Sequence, residues 1–260
     1  MVKTVELTIE DGLARLTLVN GDKGNPLDLE FGKQFKAAAI ELHACSELRA
    51  VLFTAEGKNF SVGGNLLAFA DVDDLPTFVR ASTSEYHQAL ALMMRLNAPI
   101  VSAVQGAVAG AGVALSVFAD LVVASEDANW TVAYTAIGFS PDGASTFLLP
   151  RLIGMRRFQE MLLTNRRIKA EEACEIGLVT EVVAASKLQE RAITLAQQLA
   201  KGPTLAFAAS RRLLLETNDN SLDTQLAREA ELLSRICASD DVREGIAAAL
   251  ERRPAAFKGR

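Results

Sequence analysis

The sequence is poor in the residues that carry metal, redox or secreted-protein chemistry. It has two histidines, His43 and His87, and three cysteines, Cys45, Cys174 and Cys237. The cysteines are odd in number and far apart, so neither a metal-ligand spacing nor a disulfide framework is implied, and no metal is expected. That usage suits a reducing cytoplasm, the expected location. Basic residues never run beyond pairs such as Arg156-Arg157, Arg211-Arg212 and Arg252-Arg253, which read as solvated helix faces. With a net charge of -5, this argues against nucleic acid as a partner. The N-terminal stretch lacks the long apolar core of a signal peptide, and neither internal repeats nor low-complexity tracts occur.

One absence is misleading. No charged residue lies between Arg95 and Asp120, a stretch long enough to span a membrane. Pro99, Gln105, Gly106, Gly110 and Gly112 interrupt it, however. Ile100 to Val104 reads as a buried strand, and Gly106 to Gly112 as a tight turn running into a buried helix, so no membrane partner is expected.

What remains is globular: half of the 260 residues are apolar and 23% are charged. Val5, Leu7 and Ile9 alternate with polar residues, as do Ala14, Leu16 and Leu18 beyond Asp11-Gly12, a hairpin signal. Asp28 is placed to cap a helix carrying Phe31, Phe35, Ala38 and Leu42 at helical spacing. Strands at 50–54, 100–104 and 121–124 alternate with helical stretches, among them 75–96, which argues for an α/β fold on a parallel sheet. After about residue 185 only helical periodicity remains, over 188–200, 203–216, 221–237 and 241–250. The chain therefore divides into an α/β core, 1–185, and a helical region, 186–260, read as a lid or an oligomerisation surface. Leu222, Leu226, Leu233 and Cys237 form an apolar stripe in it.

Four segments could carry chemistry. In Gly57-Lys58-Asn59-Phe60-Ser61-Val62-Gly63-Gly64-Asn65-Leu66, a strand ends and the chain turns on glycines into a helix, which leaves backbone N–H groups aimed outward. An ordinary strand-to-helix loop would look the same. In the run from Gln105 to Ala114, small residues let a ligand approach the backbone, and N–H groups at the helix start favour a developing negative charge. Helix packing through small residues is the alternative; GxGxxG spacing is absent, so this is no dinucleotide fingerprint. Asp142, in Ser140-Pro141-Asp142-Gly143, is either a helix cap or an acid/base group. His87 is a lone helical histidine, a type more often structural or solvated.

Taken together, these segments resemble the crotonase (enoyl-CoA hydratase/isomerase) superfamily over essentially the whole chain. Phe60 to Leu66 matches that family's first oxyanion-hole loop, and Gln105-Gly106 through Gly110-Ala111-Gly112 its second. Ile153-Gly154, Leu162-Leu163-Thr164 and Ala170 through Val179 match the segment beyond the active site. The resemblance implies a crotonase-like fold of ββα repeats around a spiral sheet, with a C-terminal helical region. It further implies an acyl-CoA thioester as substrate with no separate cofactor, and a homotrimer or hexamer. The implied oxyanion donors are the N–H groups of Gly64 and Ala111. The substrate-binding residues would be Lys58, Phe60, Ser61, Val62, Asn65, Leu66, Leu67 and Phe139, with Phe257 and Lys258 lent by a neighbouring subunit.

The chain departs from the family's hydratases where they place two glutamates: Ala114 and Tyr134 stand there. Asp142 falls where isomerase-type relatives carry their catalytic aspartate, including those acting on ring-epoxide phenylacetyl-CoA. The same aspartate is the nucleophile of 4-chlorobenzoyl-CoA dehalogenase, whose histidine and tryptophan correspond to His87 and Tyr134. The expected catalytic set is thus Asp142, His87 and Tyr134. The expected activity is double-bond isomerisation, the alternatives being hydration or another lyase reaction, dehalogenation, and acyl-CoA binding without turnover.

Overall fold

A computed structural model describes residues 2–217 and 219–260; Met1 and Asn218 lie outside it. The chain opens with the expected hairpin, β1 (Val5–Glu10) and β2 (Leu13–Leu18), antiparallel around Asp11-Gly12. Then come α1 (Leu29–Ala44), β3 (Ala50–Ala55), α2 (Leu66–Ala70), α3 (Leu75–Met94), β4 (Ile100–Val104), β5 (Ala107–Ala109) and α4 (Ala111–Val117). β6 (Leu121–Ser125), β7 (Asn129–Thr131), α5 (Ser145–Ile153), α6 (Met155–Thr164), β8 (Ile168–Lys169), α7 (Ala170–Glu175) and β9 (Glu181–Val183) follow. Four helices close the chain: α8 (Leu188–Ala200), α9 (Thr204–Glu216), α10 (Leu222–Ile236) and α11 (Asp240–Glu251).

The main sheet has the order β1-β2-β3-β4-β6-β9, parallel from β2 onward. Every residue of β3 and β4 is buried, as a sheet covered on both faces requires. Successive side chains point to opposite faces. Val51 and Phe53 join an aromatic layer with Phe31, Phe35 and Phe118, in which neighbouring rings lie 5.3–6.3 Å apart. Leu52, Val101 and Val123 face the other way, onto Leu188, Ala192 and Ala196 of α8. The first helix of the C-terminal region is therefore part of the sheet's packing.

The second sheet, β5-β7-β8, was not expected. Residues 106–112, read as a turn into a helix, instead contain β5, which pairs with β7 from Ala107 to Ala109. A three-residue strand of alanine and valine shows no alternation to mark it.

Farther along the tail, Arg211 of α9 is largely buried and donates to Asp120 at 2.7 Å and to the Leu96 carbonyl; Asp120 in turn accepts from the Ile100 N–H at 2.7 Å. This ties α9 to the start of β4. The leucine stripe on α10 is exposed, with Leu222, Leu226 and Leu233 all open to solvent. Among the described residues no helix is long and apolar enough to cross a membrane.

Candidate active site

The two glycine-rich segments lie against each other at the C-terminal ends of β3 and β4. Buried Asn25 organises the first: its amide donates to the carbonyls of Glu56 and Asn59 at 2.9 and 3.0 Å. The Ser61 hydroxyl donates to the Asn25 carbonyl at 2.8 Å and accepts from the Gly63 N–H at 3.2 Å. The segments then pair directly, the Ala109 N–H donating to the Ser61 carbonyl at 2.9 Å. Gly63 is required at the crossing, because its φ is +85° and a Cβ there would lie 2.5 Å from the Ala109 carbonyl oxygen. Leu27 fixes the next step: its N–H donates to the Gly63 carbonyl and its carbonyl accepts from Asn65. Among the described residues, the N–H groups between these anchors, those of Gly64 and Ala111, find no acceptor. Both border one cavity of about 580 Å³.

The cavity is apolar over most of its wall. Leu66 and Phe69 of α2, Leu75 and Val79 of α3, and Ile137 and Phe139 of the 135–139 turn line it. Phe69 stacks on Phe139 with centroids 5.8 Å apart, and its ring lies about 3.0 Å from where a Cβ on Gly64 would be. Ser82 and Thr83 also face it, but their hydroxyls donate to the Phe78 and Val79 carbonyls of their own helix. They therefore offer little polarity to a ligand.

Two carboxylates border the cavity, and their oxygens are differently committed. Asp28 caps α1 through Oδ1, which accepts the Phe31 N–H at 3.0 Å, and its Oδ2 accepts the Asn65 amide at 3.0 Å. Asp142 accepts the Tyr134 hydroxyl at Oδ1, at 2.6 Å. Its Oδ2 lies 3.5 Å from His87 Nε2, too far for a good hydrogen bond. The cap reading of Asp142 fails, since the residue that caps α5 is Ala144. Burial, then the neighbouring Asp142 charge, holds the Tyr134 phenol well above its usual range, so it stays protonated and donates. Tyr86 is shifted the same way by the same causes, burial first.

His87 lies outside the cavity wall, half exposed, and its Nε2 accepts the Gly143 N–H at 3.1 Å. Tyr86, missed in the sequence because it sits in the core-facing stripe of α3, packs under the same turn. A Cβ on Gly143 would fall 2.7 Å from its ring. Phe69 and Val79 were missed too; only their apolar character in an amphipathic helix was on offer.

Several expected ligand residues are corrected. Phe60 and Ser61 are fully buried; Phe60 packs edge-on against Phe53 with centroids 5.4 Å apart, so both side chains build the loop and neither lines the cavity. Asn65 caps α2, accepting the Ala68 N–H at 3.2 Å, and binds Asp28. Leu67 is 85% exposed and outside the cavity; one step around α2 from Leu66, it faces solvent. Val62, Gly64, Leu66, Ala111, Tyr134, Phe139 and Asp142 do line the cavity. Lys58 is exposed outside it. The N–H groups of Lys258 and Gly259 donate to buried Asp241, and the Phe257 carbonyl accepts from Arg49. Arg49 precedes β3 and the cavity follows it, so Phe257 and Lys258 sit at the opposite end of the sheet from their own chain's cavity. Among the described residues no cluster of histidine, cysteine, aspartate or glutamate is arranged to hold a metal ion.

The family model described as enoyl-CoA hydratase/isomerase matches residues 8–260. The chain belongs to the enoyl-CoA hydratase/isomerase family. It shares 38% identity with a protein named "Probable enoyl-CoA hydratase" from Rhodobacter capsulatus, over 99% of this chain and 98% of that one. It shares 30% identity, over the full length of both, with the 1,2-epoxyphenylacetyl-CoA isomerase of Escherichia coli. The crystal structure of an enoyl-CoA hydratase from Polaromonas sp. JS666 superposes with a TM-score of 0.91 at 31% identity, covering 97% of this chain and 99% of that one. The crotonase-type α/β fold is thereby established, and with it membership among enzymes acting on acyl-CoA substrates.

Proposed function

We propose that the protein is an enoyl-CoA isomerase that moves a double bond through a thioester enolate, with Asp142 as the single proton carrier. The observation that carries this reading is the lone uncommitted carboxylate oxygen, Asp142 Oδ2, on the same cavity as the free N–H groups of Gly64 and Ala111. Those two donors would bind the thioester oxygen and stabilise the enolate; one such donor is typically worth about 2.7–4 kcal/mol of barrier. Asp142 would take a proton from the carbon beside the carbonyl and return it two carbons away, on the same face of one flat dienolate. The Tyr134 hydroxyl would hold the carboxylate in place throughout. The thioester itself is the substrate, and the reaction as written consumes no cofactor. Lys58, exposed on the first loop, is available to the CoA moiety. The leucines on α10 support assembly into the trimers or hexamers that the family resemblance implies.

Hydration is the second reading, favoured by the name of the Rhodobacter capsulatus relative. It asks for an acid and a base across the substrate. The two aligned positions hold buried Ala114 and the Tyr134 phenol, and both oxygens of Asp28 are engaged. Dehalogenation would need His87 as a base, yet its Nε2 lone pair is already occupied by the Gly143 N–H. The test is product analysis with 3-enoyl-CoA, 2-enoyl-CoA and 4-chlorobenzoyl-CoA. Conjugated 2-enoyl-CoA should form from the first. Hydroxyacyl-CoA from the second without isomerisation of the first, or chloride from the third, would refute the reading.

A further inference from the structure

We propose that His87 is a positioning residue, which sets the Asp142 carboxylate by accepting the Gly143 N–H and transfers no proton itself. The proposal rests on the reading of Asp142 as the proton carrier, and concerns how that group is held.

An Nε2 that accepts a hydrogen bond carries no proton, so the imidazole is neutral and protonated at Nδ1. The same nitrogen faces Asp142 Oδ2 at 3.5 Å with a lone pair, not a proton. It therefore has nothing to give the carboxylate and no free lone pair for water. The ring is half exposed and outside the cavity wall, which also keeps it from the reacting carbons.

The turn it grips needs outside restraint. Gly143 and Ala144 are consecutive left-handed residues, at φ +58° and +63°. For a side chain such as alanine that conformation is strained, and such backbone persists only when its surroundings hold it. Three side chains do so, two of them neighbours on α3. Tyr86 fills the space beneath Gly143, His87 takes its N–H, and Tyr134 takes the carboxylate. The Gly143 amide adjoins the Asp142 carbonyl. Freeing it would let that peptide rotate and swing the carboxylate away from one of the two carbons it must reach.

The test pairs two variants, and a third in reserve, with two measurements. His87→Gln places an amide oxygen near Nε2, so it keeps an acceptor; His87→Ala removes the acceptor, and His87→Leu does so while filling the space, should the alanine variant unfold. On 3-enoyl-CoA, His87→Ala should lower kcat by about 10- to 100-fold with KM nearly unchanged, and His87→Gln should recover most of that loss. Independently of any substrate, glycine-selective 15N labelling yields 17 glycine positions. The Gly143 amide should exchange slowly in the wild type and in His87→Gln, and faster in His87→Ala. A glutamine variant as impaired as the alanine one, or a Gly143 amide indifferent to both changes, overturns the proposal. A wild type inert on 3-enoyl-CoA would sink the isomerase reading, and the amide measurement would still decide the role of His87.

Discussion

Replacing Gly63 by alanine is the sharpest probe of the paired loops. The new Cβ would stand 2.5 Å from the Ala109 carbonyl oxygen, and real Cβ contacts fall well outside that distance. One loop must therefore retreat by roughly an ångström to reach ordinary contact. The residue would also sit at φ +85°, adding about 1–2 kcal/mol of backbone strain. Stability should fall by about 2–3 kcal/mol in total, read as a lower urea midpoint with an unchanged slope. The catalytic loss should be larger. Gly63 directly precedes Gly64, and its carbonyl is held by Leu27, so the displacement passes to the Gly64 N–H. Loss of one oxyanion donor corresponds to a fall in kcat on the order of 10²–10³-fold, with KM changing far less. Steady-state kinetics of 3-enoyl-CoA conversion, measured well below the melting temperature, is the assay. A Gly63→Ala protein with wild-type kcat would show that the two N–H groups do not act together on one oxygen.

Asp142→Asn should retain the fold, since the asparagine oxygen still accepts from Tyr134, and should lower kcat by about 10²–10⁴-fold; turnover within a few-fold of wild type would remove Asp142 from the reaction. Phe60→Ala should cost about 3–5 kcal/mol in denaturant unfolding, because the ring is fully buried against Phe53. A surface ligand role would instead predict normal stability with weakened CoA binding. The Glu244 carboxyl is held down to about 2, chiefly by the Arg253 guanidinium and then by the Ala256 N–H. Because its folded value is depressed from 4.5, the stabilisation is present above pH 4.5 and is lost as pH falls toward 2. NMR titration of Glu244 should show this, and Glu244→Gln should loosen the 254–260 tail; a carboxyl titrating near 4.5 would refute the contact.

Five strands of the main sheet were legible because their signals are long and redundant; β9, only three residues long, was not. The run at 50–55 is apolar but for Thr54, and α8 repeats small or apolar residues every fourth position. β5, β7 and β8 were illegible because two or three residues cannot display a period, and β5 is mostly alanine. Within the site, the glycine segments were readable as turns with free N–H groups, since glycine spacing reports backbone shape directly. Phe60 and Leu67 were misjudged for a different reason. A motif fixes the path of the chain but not which side of it faces inward, and one residue of rotation separates Leu66 on the cavity from Leu67 in solvent. Asp142 was visible as a turn residue with two possible roles; only the location of the helix start, at Ser145 three residues further on, decides against capping. The His87–Gly143 bond spans 56 positions, and no local pattern announces it.

Helix α3 supplies both a wall of the acyl chamber, through Leu75 and Val79, and the grip on the Asp142 turn, through Tyr86 and His87. On the proposed reading, selectivity and proton handling are therefore mechanically yoked. Enlarging the chamber by trimming α3 would slacken the base as well, so variants with a new acyl preference should arise more readily in α2 and the Phe139 turn, where size can change without loosening that grip.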